Sequence, residues 1–185
     1  MKRISFSPYF LFAFIFFFWG LAYLTPPSPE FPIAPPDAVQ SLEEADTEYI
    51  YRRAYFTNLK REEVLKHYQH AFGNVKILGI EIPSYRLSYP PEEAYSIIRD
   101  QTRSVYLEEI VHPFRESFYV NGFVPKVEKD DIWYKGVHYD QKITVRYVPS
   151  DKNIRIVVFA LSLTVLTLIV KQSIDALIKL IKSLI

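Results

Sequence analysis

The sequence predicts an α+β domain attached to a membrane by two transmembrane helices that flank it. Two apolar segments indicate the helices. Ile154–Val170 is apolar except for one arginine and three hydroxyl side chains, and Ile4–Leu24 has no charged residue. A helix needs about 17–25 apolar residues to cross the hydrocarbon core of a bilayer. Strand-like and helix-like patterns alternate between the two segments, which indicates the domain. The alternative for Ile154–Val170 is a buried helix of a soluble domain, which would normally carry a polar stripe.

Composition limits the classes of function. The chain has 185 residues and no cysteine, which excludes disulfides and thiolate chemistry. Residues 25–153 carry 16 Lys and Arg against 20 Asp and Glu, a formal net charge of −4. Because nucleic-acid binding depends on clustered positive charge, no nucleic-acid partner is expected.

Residues 1–24 are predicted to form an uncleaved N-terminal transmembrane helix. Trp19 and Tyr23 lie near its end, where interfacial aromatic residues are common. The alternative is a cleaved signal peptide with Gly20-Leu21-Ala22 as a small-x-small site. The apolar run exceeds the roughly 7–15 residues typical of a signal peptide, so we favour the anchor.

The flanking charges predict the orientation in the membrane. Lys2 and Arg3 precede the first apolar segment, and Lys171, Lys179 and Lys182 follow the second. Loops rich in lysine and arginine stay in the cytoplasm. We therefore expect an integral protein of the cell membrane with both termini cytoplasmic and residues 25–153 extracytoplasmic, and the lipid bilayer as its first partner.

Residues 25–47 are predicted to link the first helix to the domain. Six of the 12 residues in Thr25–Pro36 are proline, which favours an extended polyproline II stalk. Asp37–Thr47 is acidic and is predicted to be a loop or a short helix.

Residues 48–153 are predicted to form the α+β domain, with the element order β-α-β-α-β-β-β. The pattern predicts strands at 48–56, 75–82, 106–113, 116–125 and 137–148, and the alternation of the second strand resumes at 85–89 after Pro83. It predicts helices at 59–72 and from 90 to about 105. Asn58 is the expected cap of the first helix, and Asn121-Gly122 is a signal for a two-residue hairpin turn. We expect a mostly antiparallel or mixed sheet with both helices on one face, in a ferredoxin-like split βαβ topology.

Val137–Val148 is the clearest strand because apolar and polar residues alternate along it. The alternation predicts that Ile143 and Val145 are buried and that Lys142 and Thr144 face water.

Residues 171–185 are predicted to form an amphipathic helix on the cytoplasmic side. Its lysines would lie near anionic headgroups if it rests in the membrane interface. The same apolar side would also suit pairing with a second copy, and the pattern does not distinguish the two.

Glu63, His67 and His70 form the one spacing that suits metal ligands, because they lie along one flank of the predicted helix 59–72. A further ligand would have to come from His112 or His138. A solvated helix flank explains the same spacing, so the expectation is that no metal and no other cofactor binds.

Candidates for catalysis are few. His112, His138, Asp140 and Glu108 provide acids and bases, but no nucleophile motif surrounds a serine. Glu108 and Glu109 are adjacent in a predicted strand, so they point to opposite faces and cannot act together. The sequence therefore favours a binding module over an enzyme.

Tyr49, Tyr51 and Tyr55 are the candidate interaction residues. They lie on one side of the predicted strand 48–56, opposite Ile50, Ala54 and Phe56. Tyrosine patches are common at protein interfaces and at carbohydrate-binding surfaces. A covering helix or loop is the competing explanation.

The leading functional hypothesis is a membrane-anchored, non-catalytic protein whose exported domain binds a partner protein, self-associates or supports an envelope assembly. The alternative is an anchored enzyme or polysaccharide-assembly factor of the cell envelope. The layout resembles that of envelope-polymer chain-length regulators, which have two membrane helices around an exported α+β domain. Those proteins usually carry a proline-rich segment before the second helix, whereas this chain has only Pro149 there and places its prolines after the first.

Overall fold

Two units make up the chain, one helical and one built around a β-sheet. The computed structural model describes residues 8–73, 75–77, 79–98 and 103–184. The helical unit takes the residues up to Pro27 and from Asp151 onward, and the sheet unit is Ser28–Ser150. Lys2, Arg3 and the residues at 99–102 lie outside the described residues.

The helical unit consists of α1 (Pro8–Leu24) and α5 (Lys152–Leu184), which pack against each other. The ring of Phe159 in α5 stacks on Phe16 and Phe17 in α1, with centroids 6.2 and 6.4 Å apart. Gly20 allows this approach, since a Cβ atom there would overlap the Phe159 ring. At the other end of the contact, Arg155 Nη1 donates to Leu24 O at 3.4 Å. The end of α1 therefore lies beside the start of α5, and the two helices run antiparallel.

By length and composition alone, one described helix could cross a membrane, over Lys152–Ser183 in α5. The apolar part of α1, Leu11–Leu24, is shorter. The segments predicted at 154–170 and 171–185 belong to one continuous helix, α5, of 33 residues. Neither glycine nor proline occurs in it, so nothing in the sequence breaks the helix between residues 170 and 171.

The sheet unit is α+β, as predicted, and its main sheet is antiparallel throughout. Six strands follow the order β1-β2-β10-β7-β6-β5, and two separate hairpins are formed by β3 with β4 and by β8 with β9. The described strands are β1 (Val39–Gln40), β2 (Arg52–Thr57), β3 (Val75–Ile77), β4 (Ile80–Ile82), β5 (Tyr85–Tyr89), β6 (Tyr106–Val111), β7 (Ser117–Phe123), β8 (Ile132–Tyr134), β9 (Val137–Tyr139) and β10 (Gln141–Val148). The described helices of this unit are α2 (Glu44–Thr47), α3 (Arg61–Phe72) and α4 (Ala94–Ile97), with 3-10 turns at Pro91–Glu93 and Glu128–Asp130.

The ferredoxin-like topology is wrong. In a split βαβ arrangement, one strand separates the two strands that a helix connects. Here α3 lies in the chain between β2 and β5, and three strands of the sheet separate these two. The strands β5, β6 and β7 follow one another as a meander, and β10 then pairs with both β7 and β2.

The helix α3 covers one side of the sheet, called here the α3 face. The helix was predicted correctly, with Val64, Leu65, Tyr68 and Phe72 buried. Its N-cap is Lys60 rather than Asn58, and the Lys60 N–H donates to Glu63 Oε2 at 2.7 Å. The sheet residues in contact with this core are Tyr55, Tyr106, Ile110, Phe118, Val120, Ile143, Val145 and Tyr147.

The opposite side, the α4 face, is also covered. Ala94 and Ile98 pack there against Leu107, so the prediction that both helices lie on one face is wrong. Adjacent strand residues point to opposite faces, which is why Leu107 contacts α4 while Tyr106 contacts α3. The β8–β9 hairpin covers another part of the α4 face by packing Ile132 and Tyr139 against Phe56.

The segment Val137–Val148 forms two strands in place of one. It is interrupted at Asp140, whose N–H donates to Asn58 Oδ1 at 2.9 Å. Ile143 and Val145 are fully buried, as predicted, but Thr144 is only 1% exposed. The prediction that Thr144 faces water is wrong because the α4 face of the sheet is covered as well.

Two further predictions about local structure are wrong. Asn121-Gly122 forms no turn and lies inside β7, paired with β6 and β10. The connection between β6 and β7 lies earlier, where the Arg115 N–H donates to His112 O at 2.9 Å. The proline-rich segment is also no free stalk over its whole length, since Phe31 and Ala34 pack on the α3-face core and Pro29 O accepts from Tyr147 Oη at 2.8 Å.

The burial of β10 on both faces gives a paired test. Ile143→Ala should lower the free energy of unfolding by about 2–5 kcal/mol, because it removes a fully buried side chain and leaves a cavity. Thr144→Val should be neutral or stabilise by about 1 kcal/mol, because Thr144 Oγ1 is buried without a hydrogen-bond partner among the described residues. Urea denaturation of the full chain in neutral detergent, followed by circular dichroism, measures both. A loss in Thr144→Val as large as in Ile143→Ala would contradict this description of β10.

Candidate functional site

Two arginines lie directly opposite each other on the α4 face. Arg52 begins β2, Arg146 lies in β10, and they are Cα partners in this antiparallel pair. Opposed side chains in such a pair have Cβ atoms about 4.5–5.5 Å apart, and like charges there destabilise the sheet. Burial adds to the cost, since Arg52 is only 5% exposed. The pair therefore needs compensating interactions.

The C-terminal end of α4 provides part of this compensation. Arg52 Nη1 donates to Ile98 O at 3.2 Å, and Arg146 Nη1 donates to Ile97 O. The last carbonyls of a helix lack partners within the helix, and basic side chains commonly bind them. Nε of each arginine remains buried with no hydrogen-bond partner in the described part of the chain. No carboxylate among the described residues forms an ion pair with either guanidinium at 4.0 Å or less.

The two arginines line an open cavity of about 410 Å³. The other described residues that line it are Glu48, Tyr49 and Ile98. Glu48 and Tyr49 belong to the turn before β2, which closes through the Arg52 N–H donating to Tyr49 O at 2.9 Å. The described lining therefore contains two cationic side chains, one acidic, one aromatic and one aliphatic side chain.

Tyr119 in β7 lies between Arg146 in β10 and Glu109 in β6. Tyr119 is the cross-strand partner of both Arg146 and Glu109. Burial raises the pKa of Tyr119, and Glu109 raises it further, so its phenol stays protonated at neutral pH. Tyr89 donates to Glu109 Oε2 at 2.6 Å, and this hydrogen bond raises the pKa of Tyr89 to about 12. Glu109 is thus engaged by two phenols and does not neutralise the arginine pair.

Glu108 differs from the arginine pair because its fully buried carboxylate has oppositely charged partners. It lies on the α3 face. It accepts hydrogen bonds from Arg86 Nε at 2.9 Å, from Ser88 Oγ at 2.7 Å and from Arg61. Burial raises the pKa of Glu108, but these hydrogen bonds outweigh it, and the net pKa is lowered. Arg86 also binds Glu62, so the network joins α3 to β5 and β6 and is structural.

His112 and Glu116 form a second buried pair near the β6–β7 connection. His112 Nε2 lies 2.8 Å from Gly73 O, and its Nδ1 lies 3.0 Å from Glu116 Oε1. Glu116 also accepts from Ser28 Oγ at 2.9 Å. Burial raises the pKa of Glu116, but the hydrogen bonds and the nearby Arg115 charge lower it overall. The pair ties this connection to the end of α3.

The four candidate acids and bases do not converge on one cleft in the described part of the structure. Glu108 and His112 are engaged as just described. His138 lies in the β9 strand, with Nε2 3.9 Å from Asp131 Oδ2. Asp140 follows that strand and is exposed, and its backbone is held by Asn58.

Glu63, His67 and His70 do lie together, lining a shallow cleft with Leu59, Lys66 and Pro36. However, the Glu63 carboxylate accepts from the Lys60 N–H, and His67 Nε2 lies 3.1 Å from Ile33 O. Among the described residues, no group of three or more His, Asp and Glu side chains is placed to hold a metal ion. The geometry therefore gives Glu63 a capping contact and His67 a contact with the Ile33 carbonyl.

The three candidate interaction tyrosines do not form one exposed patch. Tyr55 is 2% exposed in the α3-face core, and Tyr51 packs against the same core. The strand β2 begins only at Arg52, so the alternation predicted from residue 48 does not hold for the turn before it. Tyr49 remains, 46% exposed, and it lines the arginine cavity.

Sequence reasoning missed Arg52 and Arg146. They are 94 positions apart, and only the strand register places them side by side. The available signal was an arginine in each of two predicted strands, and a charged residue in a strand is usually exposed.

No protein-family model matches this chain, and neither a curated protein nor a solved structure shows significant similarity to it.

The Glu108 network predicts an acid-sensitive contribution to stability. The folded-state pKa is below the unfolded value of about 4.3, so the unfolded chain binds the proton first as pH falls. The contribution is fully present above the unfolded pKa and is lost as pH falls through the folded pKa. Glu108→Gln should cost about 1.5–3 kcal/mol at pH 7 and progressively less below about pH 4.5.

Denaturation of both proteins between pH 7 and pH 3 measures this difference. Glu81→Gln is the control, since Glu81 makes an exposed pair with Lys76 and should change stability by less than about 0.5 kcal/mol. A Glu108→Gln defect that stays constant down to pH 3 would argue against the ion network.

Proposed function

We propose that this chain is a membrane-anchored, non-catalytic protein whose sheet unit lies outside the cytoplasm and binds a partner or ligand of the cell envelope at the arginine cavity. The observation that carries the binding role is the pairing of Arg52, which is buried, with Arg146, whose Nε is buried, without a carboxylate partner among the described residues. A protein that keeps two adjacent cations on a covered sheet face loses stability, and a ligand would compensate for that loss.

The composition of the cavity favours binding over catalysis. Its described lining supplies two guanidinium donors, a phenol, a carboxylate and an aliphatic side chain. General acid–base or nucleophilic catalysis needs a nucleophile and a base within hydrogen-bond reach of each other. Glu108 and Glu116, two of the buried acids elsewhere in the unit, are occupied by structural hydrogen bonds.

The anchoring role is supported by α5, which is long and apolar enough to cross a bilayer. We propose that α1 enters the membrane beside it, because Phe16, Phe17 and Gly20 pack against Phe159. Large apolar side chains along α5, including Leu161, Val165 and Leu168, are more than half exposed, as a lipid-facing surface requires. The flanking lysines support the proposal that both termini are cytoplasmic.

The proposed orientation predicts a labelling pattern in intact cells. The chain has no native cysteine, so single cysteines report cleanly. Lys126→Cys, exposed in the sheet unit, should react with a membrane-impermeant maleimide, whereas Ser183→Cys near the end of α5 should react only after the membrane is permeabilised. The reverse pattern would overturn the orientation, and labelling of both sites in intact cells would overturn the anchoring.

The binding role predicts a site-specific contact at Tyr49. A photoreactive phenylalanine analogue at this position should form a discrete adduct in living cells, because Tyr49 lines the cavity and is exposed. The same analogue at Ile80, 60% exposed in the β3–β4 hairpin, is the control and should not form that adduct. Arg146→Gln should remove the adduct from position 49. An adduct pattern that is identical at both positions, or unaffected by Arg146→Gln, would count against the cavity as the binding site.

A further inference from the structure

The chemistry of the arginine cavity narrows the class of ligand. Each guanidinium has five N–H donors, and the described contacts use one Nη atom of each for an α4 carbonyl. The remaining Nη hydrogens belong to side chains that line the cavity. Carbonyl acceptors of α4 satisfy donors but carry no net charge, so helix capping alone leaves two positive charges close together.

The charge count points to an anion. The two arginines contribute +2 and Glu48 contributes −1 to the lining. Glu109, the acid in the same row of the sheet, is bound by Tyr89 and separated from Arg146 by Tyr119. The described lining residues therefore have a formal net charge of +1, which one anionic group on a ligand would neutralise.

Paired guanidinium groups bind carboxylate and phosphate oxygens by parallel hydrogen bonds, and arginine is preferred over lysine for this purpose. The cavity of about 410 Å³ has room for more than an inorganic ion. Tyr49 and Ile98 provide an apolar wall beside the arginines, which suits a carbon skeleton attached to the anionic group.

We propose that the cavity binds a small molecule or terminal group through an oxyanion, carboxylate or phosphate, held between Arg52 and Arg146 with its carbon portion against Tyr49 and Ile98. This inference rests on the proposed binding function and specifies its ligand. The oxyanion neutralises the arginine pair, and its binding stabilises the turn before β2 and the end of α4, because both contribute to the cavity wall.

The test uses the full chain in dodecyl maltoside, which is uncharged. Melting is followed by circular dichroism while chloride is replaced at constant ionic strength by inorganic phosphate, phenyl phosphate or butyrate. A ligand that binds only the folded state raises the melting temperature with concentration. We expect a saturable rise with at least one of the three probes. A response to both phosphates but not to butyrate assigns the group as phosphate, and a response to butyrate alone assigns it as carboxylate.

Three variants make the test specific. Arg146→Gln should weaken the apparent affinity at least tenfold, and Arg146→Lys, which keeps the charge without the fork, should weaken it less than Arg146→Gln but measurably. Arg53→Gln is the matched control: it removes an arginine from the same strand, but Arg53 points to the α3 face, with its guanidinium 4.1 Å from the Phe31 ring centroid. It should bind the probe like the wild type. Arg52→Gln provides a second variant if Arg146→Gln does not fold.

The absence of any saturable shift in the wild type would overturn the inference, and so would an equal loss of affinity in Arg53→Gln and Arg146→Gln. Failure of the proposed binding function can be distinguished from failure of the oxyanion assignment. If the adduct from position 49 forms and depends on Arg146 while no oxyanion shifts the melting temperature, the cavity binds a ligand of another class. If neither is observed, the binding function fails as well.

Discussion

The burial of both faces of the main sheet is the constraint on which the sheet unit depends. A strand in the middle of such a sheet must present a packable side chain at every position, and β10 does so with Ile143 toward α3 and Thr144 toward the α4 face. A polar residue in that position needs a partner or imposes a cost. The buried acids of the unit meet this demand by hydrogen bonding to arginine, histidine, serine and tyrosine side chains, which join the covering elements to the strands.

The arginine pair has partners for only part of its buried polar groups. Elsewhere in the unit, buried Glu108 faces Arg86 and buried Glu109 accepts from Tyr89, whereas Arg52 and Arg146 are like charges at one register position. Capping the carbonyls at the end of α4 explains why one arginine would be tolerated, since a cation is favourable at a helix C-terminus. It does not explain two, because a helix of four residues has a small dipole and the second charge adds repulsion. The proposed ligand would neutralise this excess positive charge on the α4 face.

The sequence predicted the elements whose pattern is local and missed what depends on pairing. The helix α3 and the core positions Ile143 and Val145 follow from periodicity, which is a property of neighbouring residues. The predicted exposure of Thr144 was wrong, and Tyr51 and Tyr55 are covered, because periodicity shows that two faces differ, not that one of them is open to water. The arginine cavity could not be predicted, since it depends on a register between residues far apart in the chain. The pairing of α1 with α5 is similar: the apolar segments were visible, but the contact of Gly20 with Phe159 was not.

In the helical unit, the charge of Arg155 is accommodated by contacts with the other helix. Arg155 is 5% exposed in the first turns of α5, and its Nη1 donates to Leu24 O and Pro26 O. These carbonyls lie at the end of α1, where the helix dipole is negative, so the arginine binds the other helix rather than remaining an isolated charge. In the proposed membrane arrangement this places the cation at the level of the interface. The 33 residues of α5 extend about 50 Å, against about 30 Å for a hydrocarbon core. In that proposed arrangement, a continuous helix of this length would carry its terminal lysines beyond the hydrocarbon core.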